Sequence, residues 1–273
     1  MIQRIIPSSG ESIPVIGLGT WQTFDVEDNS TYPVLQEVLW NLHEGGGRLL
    51  DSSPMYGRSE NVIGDITSNM DNANDYFYAT KVWTTGLQEG IRQMEASFRN
   101  MKRTSMDLVQ IHNLVDWKTH LPQLRRMKEQ GKIRYLGITH YTDDSHEELE
   151  KIMRKEQFDF VQFNYAINAT HAEKRLLDAA ADLGVATLIN RPLGQGHLFR
   201  KVHGKPVPHW ATEIGINSWA AYFLKYILAH EAVTCVIPAT RNPDHVKELI
   251  SAGEGIIPDL PMKEKMWKYL QAF

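Results

Sequence analysis

Four polar side chains in the first half of the chain have types that together suit the transfer of a proton to an oxygen atom. Asp51, Lys81 and His112 each directly end a short apolar run, and Tyr56 follows Asp51 by five residues. A nearby ammonium favours the phenolate form of a tyrosine, so we expect Lys81 to lower the Tyr56 pKa and improve it as a proton donor. Asp51 is expected to keep Lys81 charged and in place. His112 can hydrogen-bond to a carbonyl oxygen, so the set predicts proton donation to an oxygen that becomes an alkoxide.

Other chemistries fit the sequence less well. Hydrolysis is disfavoured because the chain has no G-x-S-x-G motif and no paired nucleophile and base. Residues 146–150 read HEELE, with only one of the two histidines of H-E-x-x-H, and the single Cys235 cannot build a multi-cysteine zinc site. We therefore expect no metal. Schiff-base chemistry at Lys81, as in an aldolase-like or isomerase-like barrel enzyme, stays open, although Asp51 would keep that amine protonated.

Eight short apolar runs predict the strands that must position these residues. The predicted strands cover residues 15–19, 48–51, 77–80, 108–111, 134–138, 160–163, 186–189 and 235–238. Their starts are 33, 29, 31, 26, 26, 26 and 49 residues apart. This repeat is typical of a closed parallel (β/α)8 barrel of about 250 residues, whose chemistry gathers at the C-terminal ends of the strands. We predict an α/β fold of this TIM-barrel class.

Helix patterns fill most of the gaps between these runs. The predicted helices cover residues 32–44, 87–101, 121–129, 145–155, 172–183, 218–229, 243–252 and 262–271. The long gap before the eighth strand contains residues 199–211, which predict a loop. Residues 3–14 predict a short N-terminal β-hairpin that turns at Ser8-Ser9-Gly10. Because no linker or composition break interrupts the chain, residues 1–273 are predicted to form a single domain that ends in a C-terminal helix.

A doubly wound open sheet would show the same alternation of strands and helices. Its dinucleotide signature is missing, because neither Gly17-Leu18-Gly19 nor Gly194-Gln195-Gly196 is completed to G-x-G-x-x-G. The phosphate-binding motif G-x-x-x-x-G-K-[S/T] is also absent. These absences favour the closed barrel.

The composition is that of an ordinary globular protein. The chain has 29 Lys+Arg against 33 Asp+Glu, a net charge of −4, with 42% hydrophobic and 23% charged residues. The slight acidity disfavours nucleic-acid binding. Since we find no secretory signal and no apolar run of about 18 residues, we expect no membrane association and a cytoplasmic location. No feature of the sequence predicts an oligomeric state.

With these residues in this order, the sequence resembles the aldo-keto reductase superfamily over nearly its whole length. The matching segments are Gly17-Leu18-Gly19-Thr20-Trp21, Asp51-Ser52-Ser53-Pro54-Met55-Tyr56-Gly57, Ser59-Glu60, Ile63-Gly64, Lys81, His112, Gly131-Lys132-Ile133-Arg134-Tyr135-Leu136-Gly137-Ile138, Arg191-Pro192-Leu193-Gly194 and Ile237-Pro238-Ala239-Thr240. The resemblance implies a barrel that uses NADPH to reduce an aldehyde or ketone to an alcohol. It implies Tyr56 as general acid, Lys81 and Asp51 as the pair that lowers its pKa, and His112 as the residue that orients the carbonyl.

The resemblance also implies a cofactor site spread over several loops. The nicotinamide carboxamide is expected at Thr139, His140 and Gln162, with His140 in place of a common asparagine. Asn190 replaces an aromatic residue that often stacks on the nicotinamide. The other expected cofactor contacts are Gly19, Thr20, Trp21, Arg191, Pro192, Leu193, Gly194, Gln195, Gly196, Ala239, Thr240, Asn242, His245 and Glu248. Arg241 is expected to pair with the 2′-phosphate, which favours NADPH over NADH.

The expected substrate contacts lie just past the first four strands. Trp21 and Trp83 predict an aromatic wall, with Met55 and Asn113 nearby. The function favoured by the sequence is an NADPH-dependent oxidoreductase that acts on small aldehydes or ketones. The departures from the family pattern at His140 and Asn190 keep an alternative open, a regulatory protein that uses a bound nicotinamide cofactor as a redox sensor with little turnover.

Overall fold

Ten strands and eleven α-helices make up the computed structural model, which describes residues 1–273. The strands are β1 (Gln3–Ile5), β2 (Ser12–Pro14), β3 (Leu18–Gly19), β4 (Leu49–Asp51), β5 (Phe77–Val82), β6 (Met106–His112), β7 (Ile133–Thr139), β8 (Phe160–Asn164), β9 (Ala186–Asn190) and β10 (Cys235–Val236). The helices are α1 (Tyr32–Glu44), α2 (Ser59–Thr67), α3 (Leu87–Asn100), α4 (Trp117–Glu129), α5 (His146–Lys155), α6 (Leu176–Asp182), α7 (His197–Lys201), α8 (His209–Thr212), α9 (Trp219–Leu228), α10 (Pro243–Ser251) and α11 (Leu260–Gln271). None of these helices combines the length and the apolar character that crossing a membrane requires.

Strands β3 to β10 form one parallel sheet in chain order, and this sheet closes on itself. An isolated parallel bridge joins Ile16 to Val236, and the backbone N–H of Gly17 donates to the Val236 carbonyl at 2.9 Å. The approach is close at Gly19, where an added Cβ would lie 2.9 Å from the carbonyl oxygen of Ile237. The strands therefore form the nearly closed parallel barrel predicted from the sequence.

The barrel interior is packed with apolar side chains. The rings of Phe77, Tyr135 and Phe160 lie between 5.4 and 6.0 Å apart, centre to centre. Ile6 and Ile13 belong to the same buried cluster and come from the antiparallel β1–β2 hairpin. The predicted hairpin thus closes the N-terminal end of the barrel and leaves the C-terminal end of the strands for a site.

Polar side chains cap the N-termini of two of the later helices, α9 and α10. Asn242 accepts a hydrogen bond from the backbone N–H of Asp244 at 3.0 Å, and Pro243 is the first residue of α10. Ser218 caps α9 in the same way through the N–H of Ala221, at 3.1 Å. These caps place the ends of α9 and α10 close to the residues predicted.

Four helical segments differ from the prediction. Helix α2 has no predicted counterpart, because Gly64 in its middle disfavours a helix by propensity. Tertiary packing requires glycine at this position, since an added Cβ would lie 2.1 Å from the Asn100 carbonyl oxygen. Helix α4 begins at Trp117 rather than at residue 121, with Pro122 inside it. The helix predicted for 172–183 is split into a 3₁₀ turn, His171–Lys174, and α6. The loop predicted for 199–211 contains the end of α7 and most of α8.

Candidate active site

The C-terminal ends of the barrel strands surround a cleft of about 570 Å³. Asp51 is the last residue of β4, Lys81 lies near the end of β5, and His112 is the last residue of β6. Tyr56 lies in the loop between β4 and α2. Parallel strands end at one rim, so three strand ends and one loop bring the four residues predicted to be catalytic together.

Lys81 and Asp51 form a buried ion pair. The Lys81 ammonium is inaccessible to solvent and donates to Asp51 Oδ2 at 2.6 Å and to the carbonyl oxygen of Ser52 at 2.7 Å. Burial alone would lower the pKa of Lys81, but the Asp51 carboxylate and the Tyr56 phenol outweigh it and the pKa is raised. Lys81 is therefore charged at neutral pH.

The Lys81 ammonium also lies 4.9 Å from the centre of the Tyr56 ring. Burial raises the pKa of Tyr56 above its ordinary value, the Lys81 charge offsets part of that rise, and the Asp51 carboxylate adds to it. The expectation that Lys81 lowers the Tyr56 pKa is confirmed for the contribution of its charge, but the net pKa of the phenol lies above the ordinary value. Lys81 does act in the expected sense, but burial of the phenol is the larger effect.

His112 is held by a hydrogen bond to Ser53, a residue that the sequence did not single out as functional. Ser53 Oγ accepts the backbone N–H of Met55 at 3.3 Å and lies 3.0 Å from His112 Nδ1. The Ser53 hydroxyl can donate to His112 Nδ1, and in that tautomer the His112 proton is on Nε2. Burial and then the Lys81 charge lower the pKa of His112 to about 2, so the imidazole is neutral. Its ring meets the Tyr56 ring edge-on at 5.8 Å.

Two glutamine side chains complete the surroundings of the Asp51 carboxylate. Its Oδ1 accepts from Gln162 Nε2 at 3.0 Å and from Gln110 Nε2 at 3.3 Å. Gln162 Oε1 in turn accepts from Thr139 Oγ1 at 3.1 Å. The network links the ion pair directly to two residues expected at the nicotinamide carboxamide. Gln110 was missed, and its only signal was a polar residue inside the apolar run 108–111.

Most of the expected cofactor residues line the cleft. They are Gly19, Thr20, Trp21, Thr139, Gln162, Asn190, Arg191, Pro192, Leu193, Gln195, Gly196 and Ala239. Two more, His140 and Gly194, lie beside lining residues in the chain without lining the cleft themselves. The remaining ones lie beyond the cleft, after β10 or in α10, and are Thr240, Arg241, Asn242, His245 and Glu248.

The loops after β7 and β9 are tied to each other. Asn190 Nδ2 donates to the backbone carbonyl of His140 at 3.0 Å, and Asn190 Oδ1 is buried without a partner. The Arg191 guanidinium stacks 4.1 Å from the centre of the Tyr141 ring, which itself stacks on His140. Tyr141 lines the cleft, although no motif or spacing predicted it there. The other lining residues that were missed are Gln22, Thr23, Phe199, Ile237 and Pro238.

The expected substrate residues form the apolar side of the cleft mouth. Trp21 and Trp83 are 41% and 40% exposed, and Met55 is 37% exposed, although large apolar side chains are usually more buried. Asn113 directly follows His112 and has a buried Oδ1 without a partner. These exposed apolar faces and the unpaired acceptor point to binding of a small molecule with an apolar part.

Several residues of the cleft loops adopt the left-handed backbone conformation, which is uncommon outside glycine. Asn113 (φ 53°), Arg191 (φ 52°) and Gln22 (φ 62°) are examples, and all three line the cleft. Such conformations persist only when the surrounding structure enforces them, and they concentrate at functional sites. Backbone strain thus marks the same rim as the polar side chains.

Comparison with known proteins identifies the family of the chain. The sequence model described as "Aldo/keto reductase family" matches residues 15–271. The methylglyoxal reductase YeaE of Escherichia coli (strain K12) is 27% identical over 256 residues, which cover 91% of this chain and 88% of that protein. An aldo-keto reductase of Mycolicibacterium smegmatis is 27% identical over 256 residues, covering 90% and 86% of the two chains.

Solved structures agree in fold. The aldo-keto reductase from Klebsiella pneumoniae in complex with NADPH has a TM-score of 0.82 at 19% identity, covering 99% of this chain and 96% of that one. The thermostable aldo-keto reductase Tm1743, in complex with the inhibitor epalrestat, has a TM-score of 0.80 at 25% identity, covering 100% and 99%. Since the family match spans every barrel strand and the four residues Asp51, Tyr56, Lys81 and His112, this chain belongs to the aldo/keto reductase family of oxidoreductases.

Proposed function

We propose that the protein is an NADPH-dependent reductase that converts aldehydes or ketones to alcohols, with Tyr56 as the general acid. The observation that carries the proposal is the position of Lys81, whose ammonium is 2.6 Å from Asp51 Oδ2 and 4.9 Å from the Tyr56 ring centre. A nicotinamide cofactor bound in the cleft supplies the hydride. The protein must then supply a proton and hold the carbonyl group in place.

Tyr56 supplies the proton. Its raised pKa keeps the phenol protonated at neutral pH, so the acid is present before each turnover. Once the proton has moved to the substrate oxygen, the phenolate lies beside the Lys81 ammonium, which stabilises the negative charge. Asp51 keeps Lys81 protonated and fixed in position. Lys81 therefore assists the step mainly by stabilising its product.

His112 positions the carbonyl oxygen. With Nδ1 bonded to Ser53, the neutral ring offers an Nε2–H donor to the cleft. Its low pKa means that the ring is not converted to imidazolium and has no second proton to give, so His112 and Tyr56 have separate roles: one orients, the other transfers. The unpaired Asn113 Oδ1 is available to a substrate hydroxyl or amide next to the same centre.

The residues around the cleft fit a dinucleotide. The unpaired Asn190 Oδ1 offers an acceptor to a carboxamide N–H, and Thr139 and Gln162 line the cleft beside it. Arg241 is solvent-exposed directly before the N-terminus of α10, where a guanidinium and a helix dipole both favour a phosphate. This combination is the basis for proposing NADPH in preference to NADH.

The substrate is a small aldehyde or ketone with an apolar group that contacts Trp21, Trp83 and Met55. Residues 1–273 act as one domain, a proposal supported by the single sheet that contains all eight barrel strands. A cytoplasmic location and no nucleic-acid partner follow from the sequence expectations above.

The redox-sensor alternative is based on the loops around His140. There the Asn190 amide donates to the backbone carbonyl of His140, at a position where relatives often have an aromatic ring that covers the nicotinamide. A single experiment separates the two functions. NADPH absorbance is followed with a panel of reactive aldehydes, and NADPH binding is measured in parallel by tryptophan fluorescence. Consumption with any aldehyde supports the reductase. Binding without consumption across the panel favours the sensor, and absence of NADPH binding overturns both.

A further inference from the structure

A second cluster of polar side chains lies near the open end of the barrel, outside the cleft. Asp143 is in the 3₁₀ turn Asp143–Ser145 that follows β7, and His146 is the first residue of α5. His171 begins the 3₁₀ turn after β8. One ligand atom from each of the three lies within 4.8 Å of the other two. The HEELE segment lacks the second histidine of the H-E-x-x-H motif, but in the folded chain His171 brings a second imidazole close to His146.

Asn164, the last residue of β8, fixes which nitrogen of His146 carries the proton. Its Nδ2 donates to Asp143 Oδ1 at 2.6 Å, and its Oδ1 lies 3.0 Å from His146 Nε2. A carboxylate only accepts hydrogen bonds, so the amide nitrogen must face Asp143 and the amide oxygen must face His146. His146 Nε2 is therefore the donor, and Nδ1 of the neutral ring presents a lone pair.

That lone pair faces a second imidazole. His146 Nδ1 and His171 Nδ1 are 3.1 Å apart. Two nitrogens bound to one zinc ion at about 2.0–2.1 Å in a tetrahedron lie roughly 3.3 Å from each other. The two nitrogens are thus already close to the separation that a shared ion requires, and a carboxylate oxygen of Asp143 lies within 4.8 Å of a ring nitrogen of each histidine.

The support around the cluster has the form found behind metal-bound histidines. A metal-ligating histidine usually donates its other ring N–H to a carbonyl or carboxylate oxygen, which fixes the tautomer and the ring orientation. Asn164 does this for His146 and also holds the carboxylate of Asp143. His146 is 3% exposed and its ring packs edge-on against Phe163 at 5.6 Å. His171 and Asp143 are half-buried, so an ion could reach them from solvent.

We propose that Asp143, His146 and His171 bind a divalent transition-metal ion of the Zn²⁺ class, with water in the remaining position. Two imidazoles and one carboxylate favour such ions over Mg²⁺ or Ca²⁺, which prefer oxygen ligands alone. The ion would join the turn after β7 to the turn after β8, and so fasten the loop that carries His140 and Tyr141. This site is separate from the residues of the proposed reaction. We therefore expect it to bind metal whether or not the protein reduces carbonyls.

The test uses the full chain without a histidine tag, stripped with a chelator and titrated with ZnCl₂ by calorimetry. We expect one equivalent to bind and to raise the melting temperature by on the order of 5 °C, with no effect of MgCl₂. His171→Ala and Asp143→Asn change half-buried side chains and are expected to weaken Zn²⁺ binding at least 100-fold. His209→Ala serves as the matched control. It removes an exposed histidine of α8 whose side chain pairs with Glu213, in the turn that follows this helix.

Three outcomes would overturn the proposal. The first is the absence of saturable Zn²⁺ binding, which would identify the cluster as a plain hydrogen-bonded histidine pair. The second is unchanged affinity in both His171→Ala and Asp143→Asn. The third is a loss of binding in His209→Ala as large as that in His171→Ala. Replacing Zn²⁺ with Co²⁺ gives an independent readout, because a four-coordinate Co²⁺ spectrum is expected in the unmodified chain and not in His171→Ala.

Discussion

The ammonium of Lys81 lies 4.9 Å from the centre of the Tyr56 ring and is itself shielded from solvent. A charge this close to a phenol acts on it in a medium of low dielectric, where its effect is much larger than in water. Burial nevertheless dominates the pKa of Tyr56 and keeps the phenol protonated. The pair therefore combines a persistent acid with a nearby charge that stabilises the acid's conjugate base.

Tyr56→Phe is expected to lower kcat about 10³-fold, because general acid catalysis contributes roughly 10²–10⁴-fold and the ring is otherwise retained. NADPH binding, measured by quenching of tryptophan fluorescence, should change little. Tyr141→Phe is the matched control, since it removes the hydroxyl of another tyrosine that lines the cleft. Tyr56→Phe with full turnover would contradict the assignment of the acid.

Lys81→Met is expected to abolish measurable turnover and also to destabilise the fold by about 3–5 kcal/mol, because it leaves Asp51 buried without its partner. Urea unfolding measures the second effect. In Lys81→Met combined with Asp51→Asn, most of the stability should return while turnover stays absent. Recovery of turnover in the double variant would show that Lys81 acts only as a structural counterion.

The dependence of kcat on pH follows from the states of His112 and Tyr56. The pKa of His112 is lowered to about 2, so this ring stays neutral from pH 5 to 9. The active form of Tyr56 is the protonated one, and because its pKa is raised, reduction should fall only as the pH rises through the alkaline range above 10. Rates are measured at saturating NADPH from pH 5 into the range above pH 10, where the fall is expected. A transition between pH 6 and 7 that disappears in His112→Gln would show that His112 titrates during turnover.

The fold and the positions of three of the four central residues could be predicted from the sequence for one physical reason. A strand buried on both faces produces an apolar run, and a polar residue that ends such a run has to lie at the rim of the sheet. Asp51, Lys81 and His112 each satisfy this rule. The spacing of the runs then indicated the barrel, because each crossover helix needs a similar length of chain.

The remaining site residues could not be predicted because their partners are distant in the sequence. Gln110 is linked to the site by its hydrogen bond to Asp51, which lies 59 residues away. In the sequence it is only a polar residue inside an apolar run. The pKa of Tyr56 depends on how deeply its loop buries the phenol, which no spacing of residues indicates. His171 was not linked to His146 because they are 25 residues apart, on different turns.

Arg241→Ala is expected to weaken NADPH binding about 10- to 100-fold, as the loss of one charged hydrogen-bonding partner of a phosphate implies. NADH lacks the 2′-phosphate, so its affinity should not change and the preference between the two dinucleotides should shrink by the same factor. Both affinities are measured by fluorescence titration. Arg92→Ala, which removes an exposed guanidinium paired with Glu89 on α3, controls for a general change in charge. If NADPH and NADH bind the unmodified protein equally well, Arg241 does not recognise the 2′-phosphate and the cofactor preference proposed above is wrong.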